Sequence, residues 1–74
     1  MAAKKPTKGR VENQIKPLRK ARGWTQIDLA ERVGATRQTI IAIEAGKYAP
    51  SLELAFRIAL MLEAPFEEVF QFEP

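Results

Sequence analysis

At 74 residues the chain has room for one domain around one small core, which rarely supplies more than about 3–5 kcal/mol on its own, so help from a second subunit would be natural. The absence of Cys and His excludes disulfides, thiolate and imidazole metal sites and the usual proton shuttle, and no run approaches the ~20 apolar residues of a membrane span or the apolar segment of a signal peptide. The formal charge of +3 is uneven: residues 1–22 carry eight basic side chains against Glu12 alone, residues 23–50 balance, and the remainder sets Arg57 against five glutamates, an asymmetry that would orient a polyanion.

Residues 1–10 hold Lys, Pro, Thr and Gly without an apolar period and read as a flexible basic arm, leaving residues 11–74 as the domain. Ile15 and Leu18 then mark one face of a first helix that Asn13 could cap, which places Pro17 near the first turn where a proline is tolerated. Gly23 ends that helix as a C′ residue. Thr25 can cap a second helix while Asp28 reaches back to it, with Leu29, Ala30 and Val33 inward and Gly34 as the stop. A third helix begins after Thr36, turns Thr39 or Ile40 inward together with Ile43, and stops at Gly46.

Lys47-Tyr48-Ala49-Pro50 is a loop, and Ser51 caps a fourth helix whose Leu52, Ala55, Ile58, Ala59 and Leu62 are expected to face the core. Pro65 can start a short fifth helix with Glu67 and Glu68 in its first turn and Phe66, Val69 and Phe70 inward. From Phe70 to Glu73 the period changes to two, the mark of a terminal strand. Arg10-Val11-Glu12 is the other β-compatible stretch, so an antiparallel pairing of the two ends is expected. The fold class is all-α: a compact five-helix domain with a small two-stranded antiparallel sheet.

The two segments in TQIDLAERVGATRQTIIAIEAG, pinched around Val33-Gly34-Ala35-Thr36, have the form of a helix-turn-helix. In that motif the first helix lies across the phosphate backbone and presents the start of the second to base edges in the major groove. The second helix here opens with Thr36, Arg37, Gln38 and Thr39. Arg37 suits guanine and Gln38 suits adenine, each good bidentate pair giving about 1–3 kcal/mol of discrimination. Gln26, Thr36 and Thr39 are placed for phosphate, Ile41 for a thymine methyl, and Lys47 and Tyr48 for a clamp on the backbone. Plainer roles stand beside these: Thr25, Thr36 and Ser51 cap helices with or without DNA, Arg37 and Gln38 could be ordinary exposed polar residues, and Ile41 could belong to a wider apolar face. Arg19 and Glu44 each lie near an apolar stripe and could fix helix 1 on helix 3 as an ion pair, the alternative being two independent surface charges.

The blocks IKPLRKARGWTQIDLAERVG, TRQTI, IEAGKYAPSLELA and APFEEVF, in that order from Ile15 to Phe72, resemble the Cro/repressor type of helix-turn-helix, the Xre-like family, over about four-fifths of the chain. The resemblance implies a compact five-helix, lambda-repressor-like domain that binds operator DNA, usually as a dimer on a palindromic site. It also implies phosphate contact by Gln26, major-groove contact by Thr36, Arg37, Gln38 and Thr39, and an Arg19 to Glu44 bridge. Members with an FQF-like tail can form a terminal sheet and dimerise near it. The chain departs from the family pattern in apolar Ile41, in Ala42, Ala45 and Ala49 where hydrogen-bonding residues are common, and in apolar Ile27 and Leu60. Base specificity should therefore rest on Arg37 and Gln38.

The expectation is a sequence-specific DNA-binding transcriptional regulator, a dimeric repressor whose subunit contact uses Phe66, Val69, Phe70 and Phe72, with Leu60 beside them. The partners are double-stranded DNA and a second copy of the chain, with no membrane, no small-molecule effector, no metal and no cofactor, and the location is the cytoplasm. The rival is an antitoxin or adaptor that uses the same fold for protein binding through Ile27, Ile41 and Leu60. An enzyme fails on inventory, since no nucleophile and base pair and no Gly-rich phosphate loop are present.

Overall fold

The computed structural model describes residues 9–74, so most of the expected basic arm, residues 1–8, lies outside the described residues. The elements run β1 (Arg10–Asn13), α1 (Ile15–Ala21), α2 (Gln26–Val33), α3 (Arg37–Glu44), α4 (Leu52–Leu62), α5 (Phe66–Val69) and β2 (Phe70–Glu73). The two strands pair antiparallel, Arg10 opposite Glu73 and Asn13 opposite Phe70, as the period-two ends of the sequence suggest.

Local chemistry sets the helix limits. Thr25 accepts from the Asp28 N–H while the Asp28 carboxylate accepts from the Thr25 N–H, a complete capping box, and Thr36 and Ser51 accept from the Thr39 and Leu54 N–H groups. At the end of α1 the Gly23 and Trp24 amides return to the carbonyls of Lys20 and Arg19, and at the end of α3 those of Gly46 and Lys47 return to Ile43 and Ala42. Both are Schellman closures that need a left-handed residue, supplied by Gly23 and Gly46 at φ +72° and +75°. The fourth helix makes the same closure without glycine. Glu63 takes φ 53° there, with the Ala64 amide on the Ala59 carbonyl.

Asn13 is not the N-cap of α1; Gln14 is, and it contributes no side-chain cap. Asn13 works from one residue earlier, accepting the Ile15 N–H at 3.1 Å and donating Nδ2 to the Ile43 carbonyl at 2.8 Å. Its amide thus joins β1 to the end of α3. The Gln14 N–H donates to the Val69 carbonyl, tying α1 to α5.

The core is formed by Ile15, Leu29, Ala30, Val33, Ile40, Ile43, Ala55, Ile58, Ala59, Leu62, Val69 and Phe70, drawn from all five helices and β2. Each fully buried aliphatic side chain is worth about 1.5–3 kcal/mol against exposure, so this cluster holds the helices at fixed angles. Leu52 departs from expectation: it is 67% exposed, at the edge of the side of α4 that also carries exposed Phe56 and Leu60. Arg57 secures α4 against α2 by donating Nη1 to the Val33 carbonyl at 3.0 Å, where the α2 C-terminus would otherwise leave an acceptor free.

Candidate nucleic-acid interface

The turn Gly34-Ala35-Thr36 joins α2 to α3 and leaves the first residues of α3 at the surface while Ile40 and Ile43 anchor its other face in the core. Gly34, at φ +74°, permits the sharp reversal. Thr36, Arg37 and Gln38 are exposed and Thr39 is half-buried. The Thr36 and Thr39 hydroxyls lie 2.9 Å apart and the Thr39 N–H donates to the Thr36 hydroxyl, so both side chains are fixed by the cap. Arg37 enters no ion pair among the described residues.

Behind this face lies a buried ionic junction. Arg19 on α1 donates Nε to Glu44 Oε2 at 2.7 Å and Nη2 to Glu44 Oε1 at 3.0 Å, and its Nη1 meets the Trp24 carbonyl at 3.0 Å. Both side chains are only 7% exposed. The hydrogen bonds to Glu44 hold the Arg19 guanidinium above its ordinary pKa despite the opposing effect of burial, so its charge is permanent. Glu44 also accepts from Gln26 Nε2 at 3.2 Å. One carboxylate therefore gathers α1, the start of α2 and the end of α3, and it tethers the amide that the sequence places at a phosphate.

Ile41 is half-buried on α3, and Lys47 and Tyr48 are exposed in the loop that follows. Tyr48 stands beside Thr36, Gln38, Thr39 and Ala42 around a shallow hollow of about 290 Å³, a grouping that residue types alone do not signal. Trp24, half-buried, carries the Arg32 guanidinium 4.2 Å and that of Arg22 5.3 Å from its ring centroid, which keeps two cations at the edge of α1 and α2.

The expected interface residues separate. Val69 is fully buried and Phe70 nearly so; both belong to the core, because the four-residue α5 turns directly into β2 and folds these side chains under it. Phe66 is half-buried between the rings of Phe56 and Phe70, at centroid distances of 5.0 and 5.3 Å, and Phe72 is exposed. Leu52, expected in the core, and Phe56, which the sequence does not single out, join Leu60 as an exposed i, i+4, i+8 stripe on α4. A largely apolar hollow of about 320 Å³ between Val11, Leu52, Phe66, Phe70 and Phe72 continues that surface.

Among the described residues no His, Cys, Asp or Glu cluster is spaced to hold a metal ion, and no helix is long and apolar enough to cross a membrane.

A helix-turn-helix family model matches residues 15–69. The chain is 49% identical over 63 residues to an uncharacterised HTH-type transcriptional regulator of Methanocaldococcus jannaschii, a match covering 85% of this chain and 96% of that protein. Among solved structures it is similar to the restriction-modification controller protein C.AhdI from Aeromonas hydrophila, with a TM-score of 0.69 and 30% identity over 73% of this chain and 82% of that one. A putative DNA-binding protein from Bacteroides fragilis superposes with a TM-score of 0.74 at 26% identity, covering 82% of this chain and 98% of the other.

Proposed function

The chain belongs to the helix-turn-helix family of DNA-binding transcriptional regulators, and we propose that it is a homodimeric repressor that reads a palindromic operator through the start of α3. The observation that carries this reading is the pairing of a rigid base with a free tip: Ile40 and Ile43 hold α3 in the core while Arg37 and Gln38 stay exposed. Arg37 and Gln38 read guanine and adenine edges; Thr36 and Thr39 contact the groove rim and phosphate; Gln26, Lys47 and Tyr48 hold the backbone. Basic residues in segment 1–10 add sequence-independent phosphate contacts. DNA as the partner implies work in the cytoplasm.

The exposed stripe Leu52, Phe56 and Leu60, with exposed Phe72 and half-buried Phe66, supports the dimer, since a second copy would take these large apolar side chains out of water. To span two half-sites of a palindrome the dimer would hold its two α3 helices about 34 Å apart, one turn of duplex, and it would repress by occluding polymerase. Selection of bound duplexes from a random pool tests the reading. A palindromic site is expected; a pool with no preferred sequence overturns it. Exposed Ile27 and Leu60 keep the rival protein-binding role in view. Salt separates the two, because DNA binding through several phosphates weakens steeply with added salt and an apolar protein interface does not.

A further inference from the structure

The hollow bounded by Thr36, Gln38, Thr39, Ala42 and Tyr48 lies on the face that carries the proposed reading residues. Its shape follows from residue size and backbone. Ala42 follows Gln38 by four residues and Thr39 by three, so the three share one face of α3, and alanine ends at Cβ, leaving a gap where a longer side chain would fill the surface. The Schellman closure at Gly46, with the Lys47 amide on the Ala42 carbonyl, then turns the chain so that Tyr48 forms a wall of that gap while its side chain remains 50% exposed.

The chemistry of the lining is mostly apolar beside one free amide. The Thr39 hydroxyl is already engaged with Thr36, Ala42 offers only a methyl group, and Tyr48 offers a ring. Gln38 is exposed at the rim. In the major groove an A·T pair presents an adenine edge that an amide can bind through N6 and N7, and across from it the thymine C5-methyl, the one apolar group on any base edge of unmodified DNA. An amide beside an apolar recess is the complement of that edge.

We propose that this hollow receives the C5-methyl of the thymine paired with the adenine bound by Gln38, which makes Ala42 and Tyr48 specificity-determining residues. The inference rests on the operator-reading role of α3. It also moves the methyl contact away from Ile41, which does not line the hollow. The same methyl is present on 5-methylcytosine, but that base pairs with guanine and gives the Gln38 amide no adenine, so thymine is the assigned source.

The test uses the full chain and the duplex recovered from the random pool. Each thymine is replaced in turn by deoxyuridine, which removes the methyl and keeps the base pair. Affinity should drop about fourfold at one position per half-site, the effect of exposing one methyl-sized group. Tyr48→Ala and Ala42→Ser should bring the thymine to uracil affinity ratio at that position toward one, and Ile41→Ala should leave it unchanged. The ratio is insensitive to a general loss of binding or stability. A uniform tolerance of uracil, or a ratio unmoved by both variants, overturns the proposal. So does full recovery of affinity when 5-methylcytosine, paired with guanine, occupies the position. Failure to recover any preferred duplex overturns the operator-reading role itself, a distinguishable result.

Discussion

Replacing Glu44 with alanine should be among the most damaging single changes in the chain. The substitution deletes two charge-assisted bonds from Arg19, at 2.7 and 3.0 Å, and the 3.2 Å bond from Gln26, leaving a guanidinium that is 7% exposed with the Trp24 carbonyl as its remaining partner. Removing one member of a buried pair costs about 3–5 kcal/mol, chiefly because the other charge stays desolvated. A domain of this size has roughly 4–11 kcal/mol in total, so the loss approaches the whole of it at the lower end. With a urea slope of about 1 kcal/mol per molar, the midpoint should fall by some 3–5 M or the chain should already be unfolded in buffer. The paired replacement Arg19→Met with Glu44→Leu removes both charges and should regain most of the lost stability. Urea titrations of the four proteins in the cycle give the answer. A Glu44→Ala loss below about 1 kcal/mol, or a double variant as unstable as the sum of its singles, would refute the claim that an orphaned charge is the dominant cost.

Three further outcomes follow from other parts of the fold. Glu63→Gly should raise stability by about 0.5–1 kcal/mol, or Tm by roughly 2–8 °C, because a left-handed residue with a side chain is strained by more than its exposed pairing with Arg22 returns; a lower Tm refutes this. The Asp28 carboxyl is held below its ordinary 3.8, first by its bond with the Thr25 backbone and then by the Thr25 side chain, so its support for α2 is complete above that value and is lost as the pH falls through the lower native value. Acid melts of wild type and Asp28→Asn should therefore converge at low pH, and a constant gap between them refutes the linkage. Phe56→Lys together with Leu60→Lys should cost the monomer fold about 0.5–1.5 kcal/mol, the loss of the Phe56–Phe66 ring contact, and convert the proposed dimer to monomer in sedimentation, with operator affinity falling; an unchanged oligomeric state moves the interface elsewhere.

The helix limits were legible because they depend on single residues with one dominant role: Thr25, Thr36 and Ser51 at the starts, Gly23, Gly34 and Gly46 at the ends. The pairing of the chain ends was legible from the switch to period two. Leu52 was not, since it stands three residues before buried Ala55 and four before exposed Phe56, and the sequence does not tell which of the two faces of α4 it joins. For Val69 and Phe70 the sequence expects both an inward and an intermolecular place, and the tight passage from α5 into β2 supplies the inward one. Glu63 hid its left-handed backbone because nothing but glycine advertises that conformation. The recess at Ala42 escaped notice for a related reason: it consists of what alanine lacks, framed by a tyrosine that the Gly46 turn brings alongside.

The seam between β1 and β2 unites residues some sixty positions apart, whereas most of the helical scaffold is built from near neighbours in sequence. Contacts that span so much chain are the slowest to form, so the five helices should assemble first and the seam zip shut afterwards. It should also fray first, its amide protons exchanging with solvent well ahead of those in α3 and α4. Since Asn13 fastens that seam to the last turn of α3, clamping α3 in a duplex would slow exchange along the seam, making it a gauge of occupancy.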